Sequence, residues 1–314
     1  YNYEINSKVL SGFAQAQFKY NRVDFYIGAS VSNTNYQRNG LFENGNYLGT
    51  ESFGEGEKQS FTDFGVKGGA IYKITGRHLI DVNLGYISKA PSIRNTFTNA
   101  RQNNAVSIGL ESEKIQNVDI GYIFRSPIIK AKITGFYSNF KDGSDLGFYF
   151  TENISGLGLE QNAFIQEVMT NIEKQHIGTE LGIEAQVTPT IKLKGAASMG
   201  QYTYHNNPNL YITSDDLDGP ISFGDGTTKL KNYHVAGGPE RAYQLGIEYR
   251  DPKFWWVGLT TNYYSNTYLD INNLARSDNF STDFDGQPFN NYDPEVAKEL
   301  LKQEKFDDYF LVNV

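Results

Sequence analysis

Apolar and small residues alternate with polar ones along most of this chain. Leu10, Gly12, Ala14, Ala16 and Phe18 share one parity, and Ser11, Gln15, Gln17 and Lys19 share the other. Val23, Phe25, Ile27, Ala29 and Val31 then oppose Arg22, Asp24, Gly28, Ser30 and Ser32. A period of two places successive side chains on opposite faces of a strand, here one apolar and one wet. The pattern recurs in about eleven segments, roughly 8–20, 22–35, 60–73, 78–90, 115–125, 128–140, 171–187, 191–204, 242–250, 254–268 and 306–314. Most run about 10 to 14 residues, against about 5 or 6 for an ordinary strand. That length suits a tilted strand crossing a bilayer.

The connections alternate in kind. Asn21-Arg22, Thr75–Arg77, Ser126-Pro127, Thr188–Thr190 and Asp251–Lys253 are short, whereas roughly 36–59, 91–114, 141–170, 205–241 and 269–305 are long, polar and rich in Gly and Asn. A transmembrane barrel has this asymmetry, with short periplasmic turns and long external loops. Parity fixes the hairpin registers, because residues opposite each other share a face. Phe18 should meet Phe25, Ala16 should meet Ile27, and Lys19 should lie opposite Asp24. Tyr72 should meet Ile80, with Asp63 opposite Lys89, and Ala185 should meet Leu193. A turn at Asp251–Lys253 sets Tyr249 against Trp255.

Adjacent Trp255 and Trp256 then look into different environments. Trp255 joins Ile247, Val257 and Leu259 on an apolar face, as an aromatic at the periplasmic interface. Trp256 points to a polar lumen with Gln244, Glu248, Thr260, Asn262 and Tyr264. One segment reads differently. "DPEVAKELLKQ", 293–303, has an acidic N-cap, Pro294 at the first helical position and apolar residues at helical spacing, so a short helix is expected within an external loop.

Composition narrows the class. Charged residues make up 20% of the 314 residues, and Tyr 22, Phe 21 and Gly 31 are abundant. No run of about 18 apolar residues exists, so no ordinary transmembrane helix is encoded. Without cysteine there is no disulfide framework or thiolate metal site, and four histidines leave little for a histidine cluster. A formal charge of −8 argues against nucleic acid as a partner. The chain starts at Tyr1 and stops inside the strand-like "DDYFLVNV", so it is read as a fragment of one barrel domain spanning 1–314.

Several stretches resemble TonB-dependent outer-membrane receptors. They are "SKAPSIRNTF" (88–97), "GLESEKIQNVDIGYIF" (109–124), "GFYSNFKD" (135–142) and "NIEKQHIGTELGIEAQVTP" (171–189). "LLKQEKFDDYFLVNV" (300–314) is similar to such receptors of Bacteroidota. Ser112 stands where the family pattern has proline, and Asp119 where it has glutamate. The resemblance implies a 22-stranded barrel in the outer membrane of a Gram-negative bacterium. It also implies an N-terminal plug and a segment that binds TonB, both outside this chain, as are the remaining strands. The cargo would be a siderophore, cobalamin, glycan or peptide. Outer-membrane lipid surrounds such a barrel, and a surface lipoprotein is a further partner the resemblance allows. No enzyme activity and no cofactor are implied.

Candidate contacts for cargo are the polar-face residues near the long-loop end, Lys89, Asn117, Asp119, Tyr202, Asn262 and Tyr264, with Arg94, Arg101 and His205 in adjoining loops. Aromatics and amides suit a glycan or an aromatic ligand, whereas arginines suit an anionic siderophore. Glu180 and Glu184, with Lys192 and Lys194 across a turn, read as a lumen-wall ion-pair network. Ser214, Asp216, Asp218, Gly219 and Asp225 partly match a calcium loop. Its first position is serine and its last is Asp, so an ordinary acidic turn is the reading and no metal site is assigned. No nucleophile elbow or paired acid and base appears. Two other classes share the alternation, a passive porin-like barrel without a plug and a soluble β-sandwich adhesin. The strand length, the one-sided long loops and the aromatic girdle disfavour the adhesin.

Overall fold

The computed structural model describes residues 2–151, 163–217, 219–283 and 285–314. They form one antiparallel sheet. Its main path runs through β1 (Tyr3–Lys19), β2 (Val23–Gly40), β4 (Gln59–Lys73), β5 (His78–Lys89), β6 (Glu113–Arg125), β7 (Ile129–Thr151), β8 (Ala163–Gln186), β9 (Ile191–Tyr204), β11 (Pro239–Arg250), β12 (Trp256–Thr267) and β13 (Tyr309–Asn313). Sequential strands are neighbours along this path, as in an up-and-down barrel wall. Two short strands lie off it: β3 (Gly54–Glu55) pairs with β2, and β10 (Asn209–Thr213) pairs with β8.

Most registers follow the parity reading. Phe18 pairs with Phe25, Ala16 with Ile27 and Lys19 with Asp24. Tyr72 pairs with Ile80, and Ala185 with Leu193. The β4–β5 ladder ends at Gly65 and Ile87, short of Asp63 and Lys89. Beyond it the Ser88 hydroxyl takes over, accepting from Phe64 N at 3.0 Å.

Two turns differ from expectation. Arg125 pairs with Lys130 and Ser126 N donates to Ile129 O, so Pro127 and Ile128 form the turn. At the β11–β12 turn, Tyr249 pairs with Val257 rather than Trp255, and Asp251 N donates to Trp255 O at 2.9 Å. The turn is Pro252, Lys253 and Phe254, with Phe254 in the left-handed region at φ 70°. The displacement is two residues, so every side chain keeps its face. Trp255 still packs against Tyr249, with ring centroids 5.3 Å apart.

The apolar face carries two aromatic girdles. Phe18 stacks on Phe25 at 4.9 Å near the short turns. Near the long loops Phe64 stacks on Tyr86 at 5.7 Å, and Tyr263 packs on Tyr243 and on Phe310. From Trp255 to Tyr263 is eight residues, about 27 Å along a strand and about 21 Å once tilted by about 40°, close to the apolar band of an outer-membrane barrel. Leu245, Ile247, Val257 and Leu259 stand exposed between these girdles.

The polar face is laced with ion pairs. Lys73 meets Asp24 at 2.7 Å, Lys132 meets Asp81 at 2.9 Å, and Glu248 holds Lys194 at 2.7 Å and Arg250 at 2.5 Å. Glu184 takes Lys192 at 3.3 Å and Lys130 at 3.7 Å. The expected network forms in part: Glu184 takes Lys192, Lys194 goes to Glu248, and Glu180 joins none of these pairs. The lysine and arginine partners stay at least partly exposed, whereas Asp81 and Glu248 are buried; the pairs set the register and polarity of the wall.

The largest departure is at 141–170, read as a loop. β7 continues to Thr151 and β8 begins at Ala163, paired with each other beyond two register shifts between Phe140 and Asp145. Asp142 and Asn171 sit there in the left-handed region, at φ 57° and 55°. Such bulges break the period of two that the eye follows in sequence. The expected helix forms as α1 (Pro294–Leu300), with the Asp293 carboxylate accepting from Glu295 N at 2.9 Å.

Candidate functional site

The long connections pack into a body of their own. The extended ends of β7 and β8, with β10, form a small sheet. One face holds a core of Ile165, Met169, Leu210, Ile212, Phe223, Leu230, Ile271 and Leu274, drawn from the β8 end, β10 and the segments after β10 and β12. Leu146, Val168 and Tyr211 cluster separately. The 90–112 segment is braced to this region. Arg94 donates to Leu146 O at 3.2 Å, Asn95 to Ser144 O at 2.7 Å, and Ile108 N to the Tyr211 hydroxyl at 2.8 Å.

Buried Arg38, near the end of β2, locks two loops together. Its guanidinium donates to Ala100 O at 2.6 Å, Ser52 O at 2.9 Å and Asn104 Oδ1 at 2.5 Å. Ser52 O lies so near Gly40 that a Cβ there would collide with it, which accounts for glycine at that position. The Tyr47 hydroxyl donates to Asp215 Oδ1 at 3.0 Å, and the Gln102 amide donates to Asp215 Oδ2. Three connections thus meet at one carboxylate. β2 and β8 are five steps apart in the sheet, roughly 24 Å at about 4.8 Å per step. Loops that touch over such a distance lean across the end of the sheet rather than standing over their own strands. Burial and the neighbouring Asp215 push the Tyr47 phenol up to about 12, so it remains a neutral donor.

Beneath this junction lies a cavity of about 680 Å³, walled by Asn46, Tyr47, Thr98, Asn103, Tyr211 and Asp215 among others. A second hollow, about 450 Å³, runs along the polar face of the wall. Lys132, Glu180, Ser198, Gln244, Asn262 and Tyr264 line it.

Asn262 and Tyr264 therefore come together in one groove. Asn262 is buried and accepts from Gln244 Nε2 at 3.0 Å, and Tyr264 packs on Tyr309 at 5.0 Å. Tyr202 packs against His176 at 4.7 Å, and its backbone N donates to buried Glu240 at 2.8 Å. Glu240 also receives His234 Nδ1 at 2.7 Å, and His234 stacks on Tyr268 at 3.7 Å, so one carboxylate links the loop body to the wall. The Asn117 side-chain amide lies against Gly85, where a Cβ would displace it. Asp119 ends a chain in which Tyr26 Oη donates to Asn83 Oδ1 at 3.2 Å and Asn83 Nδ2 donates to Asp119 at 2.9 Å.

The remaining candidates are dispersed. Lys89 is exposed opposite Glu113 at the end of β5. Arg94 serves as a loop brace, Arg101 is exposed in the same loop, and His205 is exposed with its backbone bonded to Glu173 O at 2.8 Å. Asp218, central to the calcium-loop match, lies outside the described residues. Asp225 is held by Lys229 at 2.6 Å and Thr227, which lower its carboxyl to about 2, and Ser214 is buried. Among the described residues no group of three or more His, Cys, Asp or Glu is arranged to hold a metal. Arg38, Tyr47, Gln102 and Asp215 were not legible as a set, because their partners lie up to 168 positions apart.

Long strands with one lipid-type face, two aromatic girdles and a polar inner face define a wall of an outer-membrane β-barrel. The chain belongs to the TonB dependent receptor-like β-barrel family, whose pattern matches residues 1–314. Proteins of this family are barrels of the Gram-negative outer membrane. The fold is similar to that of the copper transporter OprC, with TM-score 0.61, 13% identity, and 98% of this chain covering 39% of that one. It is also similar to the FrpB iron transporter of Neisseria meningitidis, with TM-score 0.55, 14% identity, and coverage of 85% and 34%. The ferric-catecholate import receptor Fiu of E. coli K12 gives 0.56, 13%, and 87% and 36%. The chain thus spans well under half of each of these proteins, and such identities bear on fold alone. No curated protein matches it in sequence.

Proposed function

We propose that this chain is part of the barrel of a TonB-dependent receptor that binds a scarce or bulky nutrient outside the outer membrane and imports it. One observation carries this reading: a barrel wall of this family whose long loops are knitted together across its end through Arg38 and the Tyr47–Asp215–Gln102 junction. A passive pore needs its mouth clear, whereas a receptor needs side chains gathered there. Cargo would enter among the loops and pass along the polar face by Tyr202, Asn262 and Tyr264. A plug elsewhere in the protein would close the lumen, and pulling by TonB would open it. Import would proceed by conformational gating without covalent chemistry, and the barrel would lie in the outer membrane.

Growth tests this. A strain lacking the full-length gene is compared with its parent on single iron and single glycan sources, each with and without TonB. Loss of growth on one source, matched by loss of TonB, is the expected result. Growth that depends on the gene but not on TonB would mean a passive barrel.

A further inference from the structure

We infer that the loop cavity beneath the Tyr47–Asp215 junction is a binding site for a neutral, hydroxyl-rich ligand, a short oligosaccharide, rather than for an anionic iron chelate. The inference rests on the receptor reading and names the class of cargo for that same mouth.

Size is the first argument. About 680 Å³ falls within the range of about 300–1,000 Å³ that small-molecule sites occupy. Charge is the second. Among the described residues, no Lys, Arg or His side chain lines the cavity, while Glu51 and Asp215 do. The nearby guanidinium of Arg38 is spent on two carbonyls and Asn104. A ferric catecholate or carboxylate chelate carries negative charge and would face two carboxylates with no basic side chain among the described lining residues, a costly arrangement in a half-enclosed site. Arg94, one of the two arginines named as suiting an anion, is turned to Leu146 O, and neither it nor Arg101 lines the cavity.

Hydrogen-bonding chemistry is the third argument. Asn46, Asn103, Thr98, Thr213 and Ser214 bring side-chain amides and hydroxyls to the wall; Asn103 Oδ1 and Ser214 Oγ already accept from Ala105 N and Asp216 N, and each keeps further hydrogen-bonding capacity. Sugar hydroxyls need that dual character. Ile108, Leu217 and Pro220 supply apolar surface for the C–H faces of a sugar ring. Asp215 is oriented by Tyr47 and Gln102, a fixed carboxylate of the kind that takes a ligand hydroxyl on its remaining lone pairs. The same two donors offset part of its charge, which favours a neutral ligand over a cation.

The test uses the full-length protein in detergent, probed with an array of neutral oligosaccharides covering glucans, xylans, mannans and N-acetylhexosamine oligomers. A ferric tricatecholate and a polyamine are included as anionic and cationic probes. Saturable binding of at least one neutral oligosaccharide is expected, unaffected by the ferric tricatecholate. Asn103→Ala should weaken it about 2- to 12-fold, the loss of one neutral hydrogen bond, and Tyr47→Phe, which removes a donor that orients Asp215, should weaken it as well. Heat-modifiable gel mobility confirms that each variant folds. Binding of no neutral glycan, or tighter binding of either charged probe that the same variants weaken, would overturn the inference. TonB-dependent growth on iron, unchanged by Asn103→Ala, would overturn it while leaving the receptor reading intact. Growth independent of TonB would instead remove the receptor reading.

Discussion

Leu259 stands on the apolar face midway between Trp255 and Tyr263, four residues from each, so it lies about 10 Å of vertical distance from either girdle. It pairs with Ile247, and the residue is 45% exposed. Thr260, the next residue, faces the other way, opposite Gly246 on the face that carries Glu248 and Lys194. Leu259→Arg places a guanidinium near the bilayer midplane at a cost of about 2–4 kcal/mol. That is roughly a 30- to 700-fold shift in the folding equilibrium. Thr260→Arg places the same group on a wet wall within reach of the Glu248 carboxylate, and should cost less than about 1 kcal/mol. Urea titration of the full-length protein in liposomes, read by heat-modifiable mobility, separates the two. Equal losses, or a larger loss for Thr260→Arg, would refute the assignment of faces.

Other predictions address the loops. Arg38→Ala removes the donor from buried Ser52 O and from half-buried Ala100 O and Asn104 Oδ1, so hydrogen exchange should rise at 44–56 and 98–106 while the wall strands stay protected; unchanged exchange would refute the clamp. Glu167 is buried at the outer end of β8, held by Asn273 at 2.8 Å and Tyr149 at 3.3 Å. Burial raises its pKa despite these bonds, and nearby Asp145 adds to the rise. A raised carboxyl favours the protonated folded form, so protection of 163–170 and 271–276 should be greatest below the ordinary carboxylate range. It should fall as pH rises through the raised value. Glu167→Gln should flatten that profile, and a profile that persists would exclude Glu167 as its source. Cysteines at Asn46 and Asp225 should react with an impermeant reagent on intact cells while one at Gly76 does not; the reverse pattern would invert the topology.

The wall was legible in sequence because its physics is local and periodic. Lipid on one side and water on the other force a period of two, and short turns convert parity into register. Even the two-residue displacement at Pro252–Phe254 left Trp255 and Trp256 on their assigned faces. The loops resisted for the opposite reason. Their cores join residues from separate connections, as Ile165 joins Leu230 and Leu274, and no window of sequence contains such a pairing. Bulges at Asp142 and Asn171 hid the outer ends of β7 and β8 within an apparent loop. Among the candidate residues, face and height were readable for Asn262 and Tyr264. The brace role of Arg94 depends on a carbonyl 52 positions away and was not.

The most direct test of the central claim is to read the gene through the codons on either side of Tyr1 and Val314. An energised receptor predicts a signal peptide, a TonB-binding segment and a plug-sized globular domain ahead of further alternating strands. A frame that adds only strands, with no plug and no TonB-binding segment, would contradict it and leave a passive barrel.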